Sequence, residues 1–140
     1  MYKYNGAILR PYDIIVTRYF ILDHYIIYLG GKDFIHCIPE TGVTICNLHE
    51  VNKRGVVEVL RYSEIDTDVI AARIEECKGK AYDLFDFNCE TFKNYVFTGN
   101  AQSKQINQFA AWFLNIKKSI NEGIKNNWNQ SNLLNRPTSD

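Results

Sequence analysis

No stretch of the sequence approaches the roughly 18 uninterrupted apolar residues that a membrane-spanning helix needs. The opening residues, Met1-Tyr2-Lys3-Tyr4-Asn5-Gly6, lack the apolar core of a signal peptide, so the expected compartment is cytoplasmic. Charge of a dominant sign is also missing, since 16 Lys+Arg stand against 16 Asp+Glu. A dedicated nucleic-acid binder carries a basic surplus, and that class is set aside. There is no Cys-x-x-Cys pair and no zinc-finger spacing; the cysteines stand singly at 37, 46, 77 and 89. Reduced thiols are expected, at least one of them available as a nucleophile. What is present suffices for a core: 140 residues, 46% hydrophobic and 14% aromatic, make one folded domain rather than a disordered tail.

Residues 13–61 read as β. The segments Asp13–Arg18, His24–Leu29, Phe34–Ile38, Val43–Cys46 and Val56–Leu60 are β-branched, short and tightly connected, with Gly30-Gly31-Lys32-Asp33 as one turn. Such spacing predicts an antiparallel meander rather than βαβ units. From residue 63 the period changes. Ile70, Ile74, Cys77 and Ala81 recur on one helical face, with Asp66, Thr67 or Asp68 as N-cap and Gly79 near the stop. A second helix is expected from Asn88-Cys89 to just before Gly99, turning Phe92, Tyr95 and Val96 to the core. A third, capped by Ser103, carries a core-facing stripe of Ile106, Phe109, Ala110, Phe113, Ile120 and Ile124. Residues 1–128 read as a single domain, and the asparagine-rich tail, 129–140, is expected to fray. The fold class is α+β: an antiparallel β-sheet of about five strands followed by packed helices.

Cys89 stands first among candidate functional residues. A thiol attacks as the thiolate, and an unperturbed cysteine is mostly protonated at neutral pH. A helix N-terminus and a nearby imidazole would both activate it. The imidazole must come from His24, His36 or His49. His24 shares a strand face with Ile26 and Tyr28, and His36 with Phe34 and Ile38. An in-phase hairpin would put both imidazoles on one side of the sheet, where a helix packed across could bring Cys89 to them. Nucleophile, base and orienter would then form a triad. Bland readings stand beside this one. Cys37, Cys46 and Cys77 read as core, His49 as a solvated loop residue, and Asp23 as pointing away from His24. A zinc site on His24, His36, Cys37 and Cys89 is disfavoured, because Cys37 should face away from His36.

Four motifs recur in order: Arg10-Pro11-Tyr12-Asp13-Ile14-Ile15; Asp23-His24-Tyr25-Ile26-Ile27-Tyr28-Leu29-Gly30; Phe34-Ile35-His36, its histidine twelve residues after the first; and Asn88-Cys89-Glu90-Thr91-Phe92. Together they resemble the lecithin:retinol acyltransferase-like (H-box/NC) family of the circularly permuted, NlpC-type papain-like superfamily. Gly99, Ser103 and Gln105 are similar to a stretch that often follows its nucleophile helix. The resemblance covers about residues 8 to 110.

It implies that Cys89 is the nucleophile, His24 the general base and His36 the residue that orients it. It implies a phospholipid or other acyl-ester substrate, an acyl-thioester intermediate, no metal or cofactor, and peripheral membrane contact. Such contact would need an apolar lip, for which Tyr19-Phe20-Ile21-Leu22 is a candidate loop; a strand end or buried turn is the other reading of the same residues. The Cys89 amide is the expected oxyanion donor, with Tyr12 or Tyr25 as helpers. Other members suggest two alternatives, a cysteine amidase or peptidase and a non-catalytic interaction protein like those of picornaviruses. Acyl donor, acceptor and oligomeric state stay open. Three positions depart from the family pattern. Tyr12 replaces a glycine, Ile26 a small residue and Thr91 a histidine, so pocket shape and substrate choice are where this chain should differ.

Overall fold

The structure, a computed structural model, describes residues 2–3, 8–19 and 21–134. The chain divides into two compact units, Met1–Ser103 and Lys104–Asp140. The first is α+β. Its strands are β1 (Tyr2–Lys3), β2 (Ile14–Tyr19), β3 (Leu22–Gly30), β4 (Asp33–Ile38), β5 (Gly42–Cys46) and β6 (Val56–Arg61). Its helices are α1 (Leu48–Arg54), α2 (Thr67–Cys77) and α3 (Cys89–Thr98). The sheet runs β1-β6-β2-β3-β4-β5, five longer strands with the two-residue β1 at one edge. Every pairing is antiparallel. β2 to β5 form the expected meander, but β6 returns to pair with β2 on the far side.

Strand alternation sorts the side chains onto two faces. On one, Ile27, Ile35, Cys37 and Val43 pack against Ile70, Ile74 and Cys77 of α2 and Phe92 and Val96 of α3. Full burial of Phe92, at 0% exposure, is worth about 1.5–3 kcal/mol. On the other, Ile15, Ile26 and Phe34 pack against Val51 of α1. His49, expected in a loop, lies instead on this helix. Asn47 caps α1 by accepting from the Glu50 amide, and Gly55 ends it at φ 79°. Seven residues with one buried side chain carry no periodicity to detect.

Two devices hold the sheet in place. Asp13 and Arg61 form a buried, bidentate ion pair, 2.7 Å on each arm, which ties the start of β2 to the end of β6. At Gly42 a Cβ would lie 2.1 Å from the Lys80 carbonyl oxygen, so only glycine lets the segment after α2 bond to Val43. Tyr12, at φ 73°, holds the left-handed conformation that suits the glycine of the family pattern. Its amide donates to the Tyr28 carbonyl at 2.6 Å.

The second unit contains α4 (Lys104–Leu134). It continues past Trp128 to Leu134; residues 135–140 of the expected tail lie outside the described residues. Phe113, Ile120 and Ile124 are exposed on this helix. Ser103, expected as its cap, is buried and donates its hydroxyl to Glu90 at 2.8 Å. No helix among the described residues is long and apolar enough to cross a membrane.

Candidate active site

Local sequence fixes the start of α3. Asp83 accepts from the amides of Phe85 and Asp86, and its backbone pairs with Phe87, closing a tight turn. Asn88 follows as N-cap, accepting from the Glu90 and Thr91 amides while its own side-chain amide donates to the Leu84 carbonyl. The Asn88 amide donates back to the Thr91 hydroxyl at 2.7 Å, which completes a capping box. Thr91, one of the three departures, therefore sets the helix start. Cys89 is the first helical residue, where unsatisfied amides concentrate partial positive charge. Gly99 ends the helix in the left-handed region, at the expected place.

His24 and His36 meet. Nε2 of His24 lies 3.0 Å from Nδ1 of His36, and both residues are buried. Their rings pack edge to face at 5.2 Å between centroids. Burial pushes His24 down from 6.5 to about 3, helped by the neighbouring His36 and by the positive charge of Arg54. Burial and Arg54 bring His36 down to about 4, against the opposing pull of Glu50 and Glu40. At neutral pH the pair is therefore uncharged, one nitrogen donating and the other accepting. Arg54 comes from α1, one turn after Val51, and its Nε is buried with no hydrogen-bond partner among the described residues. The Thr17 hydroxyl, opposite His24 on β2, is likewise buried without one.

Cys89 approaches from elsewhere. Its helix packs on the Ile27 and Ile35 face, whereas both histidines lie on the Ile26 and Phe34 face. The expectation that one helix covers the imidazoles and also carries the thiol is corrected here: the helix on their side is α1. The thiol reaches β3 through its backbone, with Sγ donating to the Asp23 carbonyl at 3.7 Å and accepting from the Tyr25 amide. These residues flank His24. The registered β3–β4 ladder runs from Gly30↔Asp33 to Ile27↔Ile35, and the thiol lies along β3 beyond its end. Among the described residues no hydrogen bond joins Cys89 to either histidine.

Burial raises the Cys89 thiol above its ordinary value, and the Glu90 carboxylate adds to that. The amides of Tyr25, Glu90 and Cys89 itself pull the other way. A thiolate formed here would find donors in place. Tyr25 is raised by burial and by the charges of Glu90, Asp23 and Cys89, so its phenol keeps its proton. Lys93 lies over its ring at 4.3 Å.

The remaining candidates separate from this group. Cys37 and Cys77 are buried in the apolar cluster beneath α2 and α3, and burial lifts the Cys37 thiol to about 12. Cys37 lies on the face opposite His36, as strand alternation requires. Cys46 is half-buried against the α1 cluster. His49 is exposed on α1, where it lines a groove of about 420 Å³ with Leu9, Tyr28 and Phe34. Asp23 pairs with Arg18 at 3.1 Å; the sequence reading missed that its carbonyl meets the thiol. Arg54 and Thr17 were missed as well, and only the unseen α1 and the β2–β3 register reveal them. Of the apolar lip, Ile21 is 80% exposed, and Phe20 lies outside the described residues. The chain matches no protein-family model and no curated protein by sequence.

Proposed function

We propose that this chain is a thiol-dependent acyltransferase or phospholipase A-type hydrolase that cleaves phospholipid acyl esters through an acyl-thioester on Cys89, in a circularly permuted papain-like (NlpC-type) domain. The observation that carries the reading is the buried, neutral His24–His36 pair, hydrogen-bonded at 3.0 Å, with a helix-start thiol against the residues on either side of His24. An imidazole so held can act as a base without carrying charge at rest. With His24 Nε2–H donating to His36 Nδ1, the His24 Nδ1 lone pair is left for the thiol proton.

The steps follow. As substrate enters, the thiol exchanges its bond to the Asp23 carbonyl for one to His24; catalytic hydrogen bonds often tighten only in the complex. The proton passes from Sγ to His24, and sulfur bonds to the ester carbonyl carbon. The oxyanion takes the Cys89 amide at the start of α3, the Glu90 and Thr91 amides being held by the Asn88 cap. The C–O bond breaks, the imidazolium returns its proton to the departing lysophospholipid oxygen, and Cys89 holds the acyl group. Water, an alcohol or an amine then attacks, with His24 again as base, and the thiol is regenerated.

The test is release of fatty acid and lysophospholipid from phosphatidylcholine by the wild type beside Cys89→Ser. Release by the wild type and none by the variant is expected. Equal release from both, or none from the wild type, would overturn the reading.

A further inference from the structure

α4 joins two properties that point to one partner. At 100° per residue Phe113, Ile116, Ile120 and Ile124 fall on one stripe, exposed by 55%, 37%, 56% and 62%, with Trp112 and Leu114 exposed on its flanks. Lys117, Lys118 and Lys125 line one flank together with Leu114, Asn121 and Glu122, the last in an exposed i,i+4 ion pair with Lys118 at 4.0 Å. Lys104, Lys117, Lys118 and Lys125 against Glu122 give the helix a net charge of +3 in a chain whose total is zero. The preceding 103 residues carry the opposite balance, with 11 Lys+Arg against 14 Asp+Glu.

We propose that α4 is a membrane-surface helix, lying in the headgroup layer of a bilayer that contains anionic lipid, its apolar stripe in the acyl boundary and its lysines on the phosphates. A basic amphipathic helix with aromatic residues on the apolar side and low overall hydrophobicity has this chemistry. The stripe is too interrupted by polar residues to span a bilayer. A coiled coil with a second copy fits less well. Heptad positions 106, 109, 113, 116 and 120 are apolar, but 123, 127 and 130 are Gly, Asn and Gln, which ends the seam short of three heptads. Trp112, beside Ile116 on the other flank, widens the apolar band beyond what a two-position seam buries. The inference does not rest on catalysis by Cys89.

Both tryptophans of the chain, Trp112 and Trp128, belong to α4, so tryptophan emission, excited selectively over the tyrosines, reports on this helix alone. The experiment uses the full chain carrying Cys89→Ala, to leave lipids intact, with vesicles of phosphatidylcholine alone or mixed with phosphatidylserine. Co-sedimentation and a blue shift are expected with the mixed vesicles at low salt, little with phosphatidylcholine alone, and reversal as salt rises. The K117Q/K118Q variant should partition about 30-fold more weakly, from roughly fivefold per lysine. Phe113→Ser with Ile120→Ser should lose the blue shift while keeping the far-UV spectrum.

Failure to bind mixed vesicles at low salt would overturn the proposal. So would unchanged binding by the lysine variant. A dimer in sedimentation equilibrium with emission already blue-shifted before lipid is added would give the stripe to a second copy. Vesicle binding in a chain whose wild type releases no fatty acid would support this proposal and remove the acyl-transfer reading. Fatty-acid release without vesicle binding would do the reverse.

Discussion

The two faces of the central sheet are covered unequally. Two helices and an all-apolar set of strand residues close the Ile27 and Ile35 face, where Phe92 and Val96 are completely buried. A seven-residue helix with a single buried side chain covers the Ile26 and Phe34 face. That thinner side holds two hydrogen-bonded histidines, together with a threonine hydroxyl and an arginine Nε that have no hydrogen-bond partner among the described residues. One face holds the fold together, and the other accepts the cost of unpaired polar atoms beside its imidazoles. Cys89 belongs by its helix to the first face and reaches β3 where the registered β3–β4 ladder has ended.

Substitutions that strike one face and spare the other sharpen this contrast. The largest effect is expected from His24→Ala, which should lower ester cleavage by about 10²–10⁴-fold, the usual worth of a general base, while the thermal transition stays cooperative. His36→Gln, whose amide oxygen can still accept from His24, should keep part of the activity. Steady-state rates check both, and the reverse ranking would exchange base and orienter. Phe92→Ala, on the apolar face, should cost about 3–5 kcal/mol in denaturant unfolding and lower activity only through the folded fraction.

A pH effect comes next. His24 titrates at about 3 and His36 at about 4 in the fold, against 6.5 in the unfolded chain. The unfolded chain therefore binds protons first as pH falls. The stability due to these two groups should be complete above about 6.5 and drain away between there and about 4 to 3. Arg54→Gln removes a positive charge facing both rings, raises both values and makes that loss shallower. Unfolding midpoints from pH 7 to 4, wild type beside variant, measure it. The smallest effect is expected at the helix start, where Thr91→Val should cost about 1 kcal/mol through the lost capping box, with no change in pH dependence.

Most elements were legible because they are built from repeated local signals. Strands β2 to β6 are β-branched runs between turn residues, and α2 and α3 carry a cap, an apolar period and a glycine near the end. Asn88 as N-cap and Cys89 at the first turn of α3 follow from that grammar, as does the shared face of His24 and His36. What the sequence withheld depends on distant pairing. Nothing local says that β6 returns beside β2, so the Asp13–Arg61 pair was invisible. Helix α1 has an Asn cap and a Gly stop but one buried residue, too little for a period, and Arg54 was missed with it. The face on which α3 packs is set by which strand residues are apolar throughout, Ile27, Ile35 and Cys37, and the histidines fall between them. The stripe of α4 was readable as amphipathic, yet amphipathicity alone does not say what covers it.

The most direct test of the central claim is intact-protein mass after incubation with a short-chain phosphatidylcholine, wild type beside Cys89→Ala. The account predicts a gain of one acyl chain on the wild type, removed by hydroxylamine and absent from the variant. No adduct on the wild type together with no fatty acid released, or the same adduct on Cys89→Ala, would contradict it.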